Sequence, residues 1–254
     1  MIKVVLLGAG NVATHLFEAF QQSNEIDVVQ VYNQSKNRLR SFKERVSTTT
    51  NLKELKKADV YIIAIKDDAI EKLSNQLPHT DRLIVHTSGS VSINSLSKHN
   101  RHGVFYPLQT FTKGKEVNFK TIPICLETAV ITDYIILEKL AKAISQAVYN
   151  INSTQRKALH VAAIFVNNFV NHLYQKSNEI CEEHKVPFEV LHPLLLETAQ
   201  KALEMNPLKA QTGPAIRKDQ KIIESHIKNL STQQQKDIYT ILTKSIQETH
   251  GNKL

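Results

Sequence analysis

The stretch that most restricts this chain stands near its start. The apolar run KVVLL leads directly into Gly8-Ala9-Gly10-Asn11-Val12-Ala13, and THLFEAFQQ continues with helical spacing. This is the G-x-G-x-x-G/A pattern set between a strand and a helix, the context in which it holds a dinucleotide. Gly8 permits the tight turn, Gly10 lets a pyrophosphate approach the backbone, and Ala13 is small enough for close packing of helix on strand. The N–H groups of Ala9, Asn11 and Val12 belong to the same loop, and the helix start adds unpaired donors and a positive dipole. An ordinary strand-to-helix turn accounts for two glycines alone. The flanking pattern favours the dinucleotide site.

Up to about residue 150 short β-branched runs alternate with helical stretches, which predicts a parallel sheet with crossover helices. The runs are KVVLLGAG, DVVQVYN, DVYIIAI, RLIVHTSG, GVFYPL, IPICLE and AVYNI, and several are apolar on consecutive positions, as strands buried on both faces should be. From STQRKALHVAAIFVNNFVNHLY onward the pattern becomes helix-periodic and nearly strand-free. The expected architecture is an α/β domain over residues 1–151 and an all-α domain over residues 152–254.

The end of the second strand distinguishes the cofactor. An NAD site places an Asp or Glu there to accept from the ribose 2′-hydroxyl. Here Asn33, Gln34, Ser35, Lys36 and Arg38 follow, with no carboxylate. Amide, hydroxyl and cationic groups suit a 2′-phosphate, so the reading favours NADP(H) over NAD(H). Further along, Ala64, Ile65 and Lys66 end the third run and are expected beside the cofactor. Thr87, Ser88 and Gly89 end the fourth, within His86-Thr87-Ser88-Gly89-Ser90, and FYPLQTF follows the fifth. Small hydroxyl residues and a glycine permit close backbone approach by a nicotinamide carboxamide or a substrate. Turn chemistry explains the same residues singly.

In the helical half, ALHVAAIFVNNFVNHLY is apolar nearly all round, which predicts a buried central helix. At 100° per residue His160, Asn167 and Asn171 share an arc of about 40°, with Arg156 at its edge and Asn168 further round. A polar stripe on a buried helix is either satisfied internally or faces a ligand. His160 is the candidate proton donor, Asn167 and Asn168 orient a substrate, and Arg217 in QTGPAIRKD holds a carboxylate or pairs with Asp219. Pro214 is expected at a helix entry.

Composition narrows the classes. The net charge of +8 invites nucleic acid, but the lysines are scattered among glutamates with no basic run interleaved with aromatics. No nucleic-acid partner is expected. Two cysteines, Cys125 and Cys181, have neither metal-ligand nor disulfide spacing, so no metal is expected and a reducing, cytoplasmic setting is. No stretch reaches the roughly 20 apolar residues of a membrane helix, and the first apolar run is too short for a signal peptide.

GAGNVATHL, VYNQS, HTSGS, FYPLQTF, LHVAAIFVNNFVNHLY and QTGPAIRKD, in this order, resemble a bacterial family of NADP oxidoreductases that join a Rossmann-like domain to a helical domain of unknown function. The arrangement is similar to pyrroline-5-carboxylate reductase, to deazaflavin-dependent NADP reductases and to 6-phosphogluconate dehydrogenase, whose carboxy-terminal domain the helical half resembles. The resemblance implies a homodimer through that half. Hydroxyacid dehydrogenases carry a catalytic lysine followed three and four residues later by Asn-Asn, whereas Lys157 is followed there by His160 and Val161, which disfavours the lysine mechanism. The expectation is an NADP(H)-dependent oxidoreductase acting on a small carbonyl or imine. The alternative is a non-catalytic NADP-binding regulatory module.

Overall fold

The structure is a computed structural model that describes residues 1–251. It comprises two compact units, Met1–Asn167 and one that starts at Asn168.

In the first unit the chain runs β1 (Ile2–Leu7), α1 (Asn11–Gln21), β2 (Ile26–Tyr32), a two-residue β3 (Thr48–Thr49), β4 (Val60–Ile63), α2 (Ile70–Gln76), β5 (Leu83–His86), β6 (Arg101–Pro107), β7 (Ile124–Thr128), α3 (Ile131–Lys142), β8 (Val148–Asn150) and α4 (Ser153–Ala163). All seven apolar runs are strands, in one sheet of order β3-β2-β1-β4-β5-β6-β7-β8. From β3 to β6 every pair is parallel, and β8 is parallel to β7. The sheet is parallel as expected but for one strand, β7, which runs antiparallel to β6. The connection between them carries only a 3₁₀ turn, Phe119–Thr121, and no crossover α-helix to return the chain to the same edge.

Successive residues of the central strands enter opposite layers. Val4, Leu6, Val60 and Ile62 pack with Phe17 and Phe20 of α1, while Val5, Leu7, Tyr61 and Ile63 pack with Leu73 of α2. Both layers are dry, as the apolar runs predicted.

The helix α4 begins with a capping box in which Asn152 accepts from the Gln155 N–H (2.9 Å) and the Gln155 side chain accepts from the Asn152 N–H (3.1 Å). Glu127 of β7 then accepts from the Ser153 N–H and from its hydroxyl, both at 2.9 Å, and pairs with the guanidinium of Arg156. Arg156 is 0% exposed and also donates to the Val91 carbonyl and the Ser153 hydroxyl. Sequence periodicity placed Arg156 at the edge of a polar stripe that is either satisfied internally or faces a ligand. Arg156 takes the first course and bolts α4 to the sheet, and the compact unit that contains it runs to Asn167.

Past α4 the segment Ile164–Phe169 is a π-helical turn. Its i→i+5 bonding shifts the rotational phase, so the 100° count that aligned His160 with Asn167 and Asn171 fails at Ile164. The second unit continues with α5 (Val170–Glu183), α6 (His192–Glu204), α7 (Pro207–Ala210), α8 (Gln220–Asn229) and α9 (Gln233–Gly251). Among its described residues its regular elements are all helices, joined by turns, as expected. The buried central helix is not found, since Val161, Phe165, Val166 and Phe169 are all exposed, Val166 by 75%. A helix apolar all round needs partners on every side, and the second unit itself leaves Val190, Leu196, Leu203 and Ile241 exposed as well.

Breaking the bolt by Glu127→Ala leaves a buried guanidinium without its counter-charge. The expected cost is about 3–5 kcal/mol, read as a lower midpoint in denaturant unfolding. Replacing both partners together, Glu127→Leu with Arg156→Met, should recover most of the loss.

Candidate functional site

The carboxyl ends of β1, β2 and β4 open into a cleft of about 870 Å³. Its floor is the loop from Gly8 to Val12. Gly8 has φ +130°, and a Cβ there would collide with the Ala64 carbonyl oxygen at the end of β4. Gly10 differs, with ordinary φ of −89° as the N-cap of α1 and nothing within 4 Å of a Cβ built on it. That Cβ would point into open cleft. The first helical bond of α1 runs from the Thr14 N–H to the Gly10 carbonyl (2.9 Å), so the N–H groups of the first turn have no intrahelical acceptor, a donor set of the kind that suits an anion. Ala13 is fully buried under the loop, where its small size allows the helix to approach β1.

At the β2 side the cleft is edged by Asn33, Gln34, Ser35 and Arg38, and the Asn33 amide donates to the Ser35 carbonyl (3.1 Å). Arg38, Lys66 and Lys72 line it, and no Asp or Glu is among its lining residues. Ala64 and Ile65 form the wall at the β4 end. Gln109 and Phe111, from the connection after β6, complete the other side. The Phe111 carbonyl accepts from the Asn11 side chain (2.9 Å), which ties this connection to the start of α1.

Thr87, Ser88 and Gly89 do not line this cleft. The Thr87 N–H donates to the Ile63 carbonyl (3.1 Å), and the buried Ser88 hydroxyl accepts from the N–H groups of Ser90 and Val91, each at 3.0 Å. Thr87 is thus bonded back to β4, and the Ser88 hydroxyl is used within its own turn. Gly89 lies against His160 and Tyr106, which form the second constellation of the first unit.

Two histidines stand near this strand end with opposite fates. His86, at the end of β5, is fully buried, and burial together with the Arg156 charge pushes its pKa down to about 3. Its Nδ1 accepts from the Ser88 N–H (3.2 Å), so it is a neutral structural group. His160 is only half-buried, with Nδ1 3.1 Å from the Tyr106 hydroxyl. Tyr106 projects from β6, paired with Cys125 of β7. Burial, with the neighbouring Cys125, raises the Tyr106 phenol to about 12, so it stays protonated. Tyr106 lay within the FYPLQTF stretch, but nothing in sequence spacing tied it to a residue 54 positions later.

Asn167 and Asn168 stand in the π turn and are exposed. Arg217 lies exposed in the turns after Pro214, while Asp219 caps α8 by accepting from the Ile222 N–H (3.3 Å). Pro214 thus precedes a separate turn; the helix starts only at Gln220. Among the described residues no group of three His, Cys, Asp or Glu is placed to hold a metal ion, and no helix is long and apolar enough to cross a membrane.

Residues 3–89 match the family described as NADP oxidoreductase coenzyme F420-dependent, and residues 122–246 match a domain of unknown function, DUF2520. Among solved structures the chain is similar to the putative NADP oxidoreductase of Bacteroides fragilis, with 39% identity over 97% of this chain and 98% of that one and a TM-score of 0.88. A pyrroline-5-carboxylate reductase from Coxiella burnetii shares the fold at 18% identity, covering 99% of this chain and 98% of its own, with a TM-score of 0.57. An imine reductase from Myxococcus stipitatus, solved with NAD+, does so at 13% identity, 99% and 96% coverage and a TM-score of 0.62. Comparison with curated proteins gives no match.

The two glycines of the loop should separate cleanly. Gly8→Ala forces a positive φ and a backbone collision, so its unfolding free energy should fall by about 2–4 kcal/mol. Gly10→Ala should keep the parent's unfolding midpoint, because its Cβ meets open space.

Proposed function

The chain belongs to the two-domain family of the Bacteroides fragilis protein, and from that premise we propose that it is an NADP(H)-dependent oxidoreductase moving a hydride to or from a small carbonyl or imine compound. The observation that carries the reading is the cleft around Gly8–Val12, open over Gly10 and edged by Arg38, Lys66 and Lys72 without a carboxylate. A diphosphate fits the helix start, and a 2′-phosphate is favoured by Ser35 and Arg38 where a carboxylate would repel it.

When bound, the nicotinamide supplies the hydride, so the chain has only to hold the substrate and supply a proton. His160 is the proton donor, because His86 is locked neutral by burial while His160 is reachable. The amides of Asn167 and Asn168, presented by the π turn, orient the substrate. The exposed Val190, Leu196, Leu203 and Ile241 of the second unit are covered by a second copy of the chain, giving a homodimer through the helical half. The two free cysteines suit a cytoplasmic setting.

Titration calorimetry with NADPH and NADH tests the cofactor reading. NADPH should bind at least about tenfold tighter, a difference of about 1.4 kcal/mol. Gly10→Ala should abolish binding in folded protein, and Arg38→Ala should erase the preference. Equal affinity for both nucleotides would overturn the NADP reading, and binding of neither would remove the enzyme. His160→Ala should lower turnover at least about a hundredfold with NADPH affinity intact.

A further inference from the structure

Resting on the proposed role of His160, we infer that Tyr106 and Gly89 are positioning residues that decide which nitrogen of the His160 ring offers its proton. The Tyr106 hydroxyl lies 3.1 Å from Nδ1, and the two rings meet edge to face with centroids 6.1 Å apart. Burial keeps the phenol protonated, and a protonated phenol both donates and accepts. When the imidazole is neutral, the phenol donates to the Nδ1 lone pair, which leaves the ring proton on Nε2. When the imidazole is cationic, Nδ1–H donates to the phenol oxygen and Nε2–H is again the unclaimed donor. Nε2 therefore carries a proton in both states.

In the reductive direction the Nε2–H bond of the imidazolium breaks and its proton bonds to the substrate oxygen or nitrogen, which has received the electron pair of the C=O or C=N bond as hydride adds to carbon. The imidazole left behind carries Nδ1–H only transiently: solvent returns a proton to Nε2, which restores the imidazolium, and loss of the Nδ1 proton from that cation gives back the resting neutral form with Nε2–H and the phenol donating to Nδ1. Tyrosinate never forms.

Gly89 supplies the space for this contact. A Cβ at that position would stand 2.6 Å from His160 Nδ1 and 2.9 Å from Tyr106 Cζ. No backbone requirement explains the glycine, since the collision is with the two side chains themselves. Glycine here serves the dyad, a different task from that of Gly8, where the conflict is with backbone.

The test is ring ¹⁵N NMR of the full chain carrying labelled histidine, without nucleotide, at a pH where His160 is neutral. The parent should show His160 as the Nε2–H tautomer alone, with Nδ1 shifted by an accepted hydrogen bond. Tyr106→Phe should lose that shift and populate both tautomers. Gly89→Ala, which displaces the ring while retaining the phenol, should do the same and carries the test if the phenylalanine variant fails to fold. An Nδ1–H tautomer in the parent, or spectra unchanged in both variants, overturns the inference. Failure of the cofactor reading would show elsewhere, as a parent protein that does not bind NADPH.

Discussion

The ion pair between Glu127 and Arg156 is the interaction on which the arrangement of this protein turns. One carboxylate on β7 receives the N–H and hydroxyl of Ser153 and the guanidinium of Arg156, so the first turn of α4 is held to the sheet by charge and by capping at once. Buried pairs of this kind add little net stability over a well-packed apolar core, but they tolerate few alternative geometries. That rigidity is what His160 needs. One turn beyond Arg156, His160 meets Tyr106 and Gly89 at the carboxyl edge of the sheet because the helix cannot swing away.

Chemistry at this edge is divided by burial. The same strand-end region contains a histidine that dry surroundings and a neighbouring guanidinium keep neutral, and another that reaches the surface beside a phenol. Only the second is half-buried and open to a partner from outside the fold. At the β1 and β2 ends the cleft is lined by Arg38, Lys66 and Lys72 around an open glycine, with no carboxylate among its lining residues.

Much of this was legible in the amino-acid sequence, for physical reasons. Strands buried on both faces write themselves as runs such as DVYII and RLIV, and a turn with φ +130° pressed against the Ala64 carbonyl has few alternatives to glycine at Gly8, so the sheet and the cleft at its end were visible. Asn33, Gln34, Ser35 and Arg38 were readable because the end of β2 is fixed by its register with β1. The antiparallel β7 was hidden, since nothing local in IPICLE encodes its partner's direction. So was the task of Arg156, whose partner is 29 residues away. The π turn defeated a count made at constant pitch, and apolar character around the whole helix was mistaken for burial within one chain. Thr87 and Ser88 looked available to a ligand, but Thr87 bonds back to β4 and the Ser88 hydroxyl to its own turn.

A structure of the protein crystallised with NADP+ tests the central claim most directly. The account predicts the diphosphate on the N–H groups at the start of α1, the 2′-phosphate against Ser35 and Arg38, and the nicotinamide ring on the side of the sheet where Tyr106 holds His160. A nucleotide seated in the cleft with its nicotinamide turned away from His160, or its 2′-phosphate clear of Arg38 in open solvent, would contradict it.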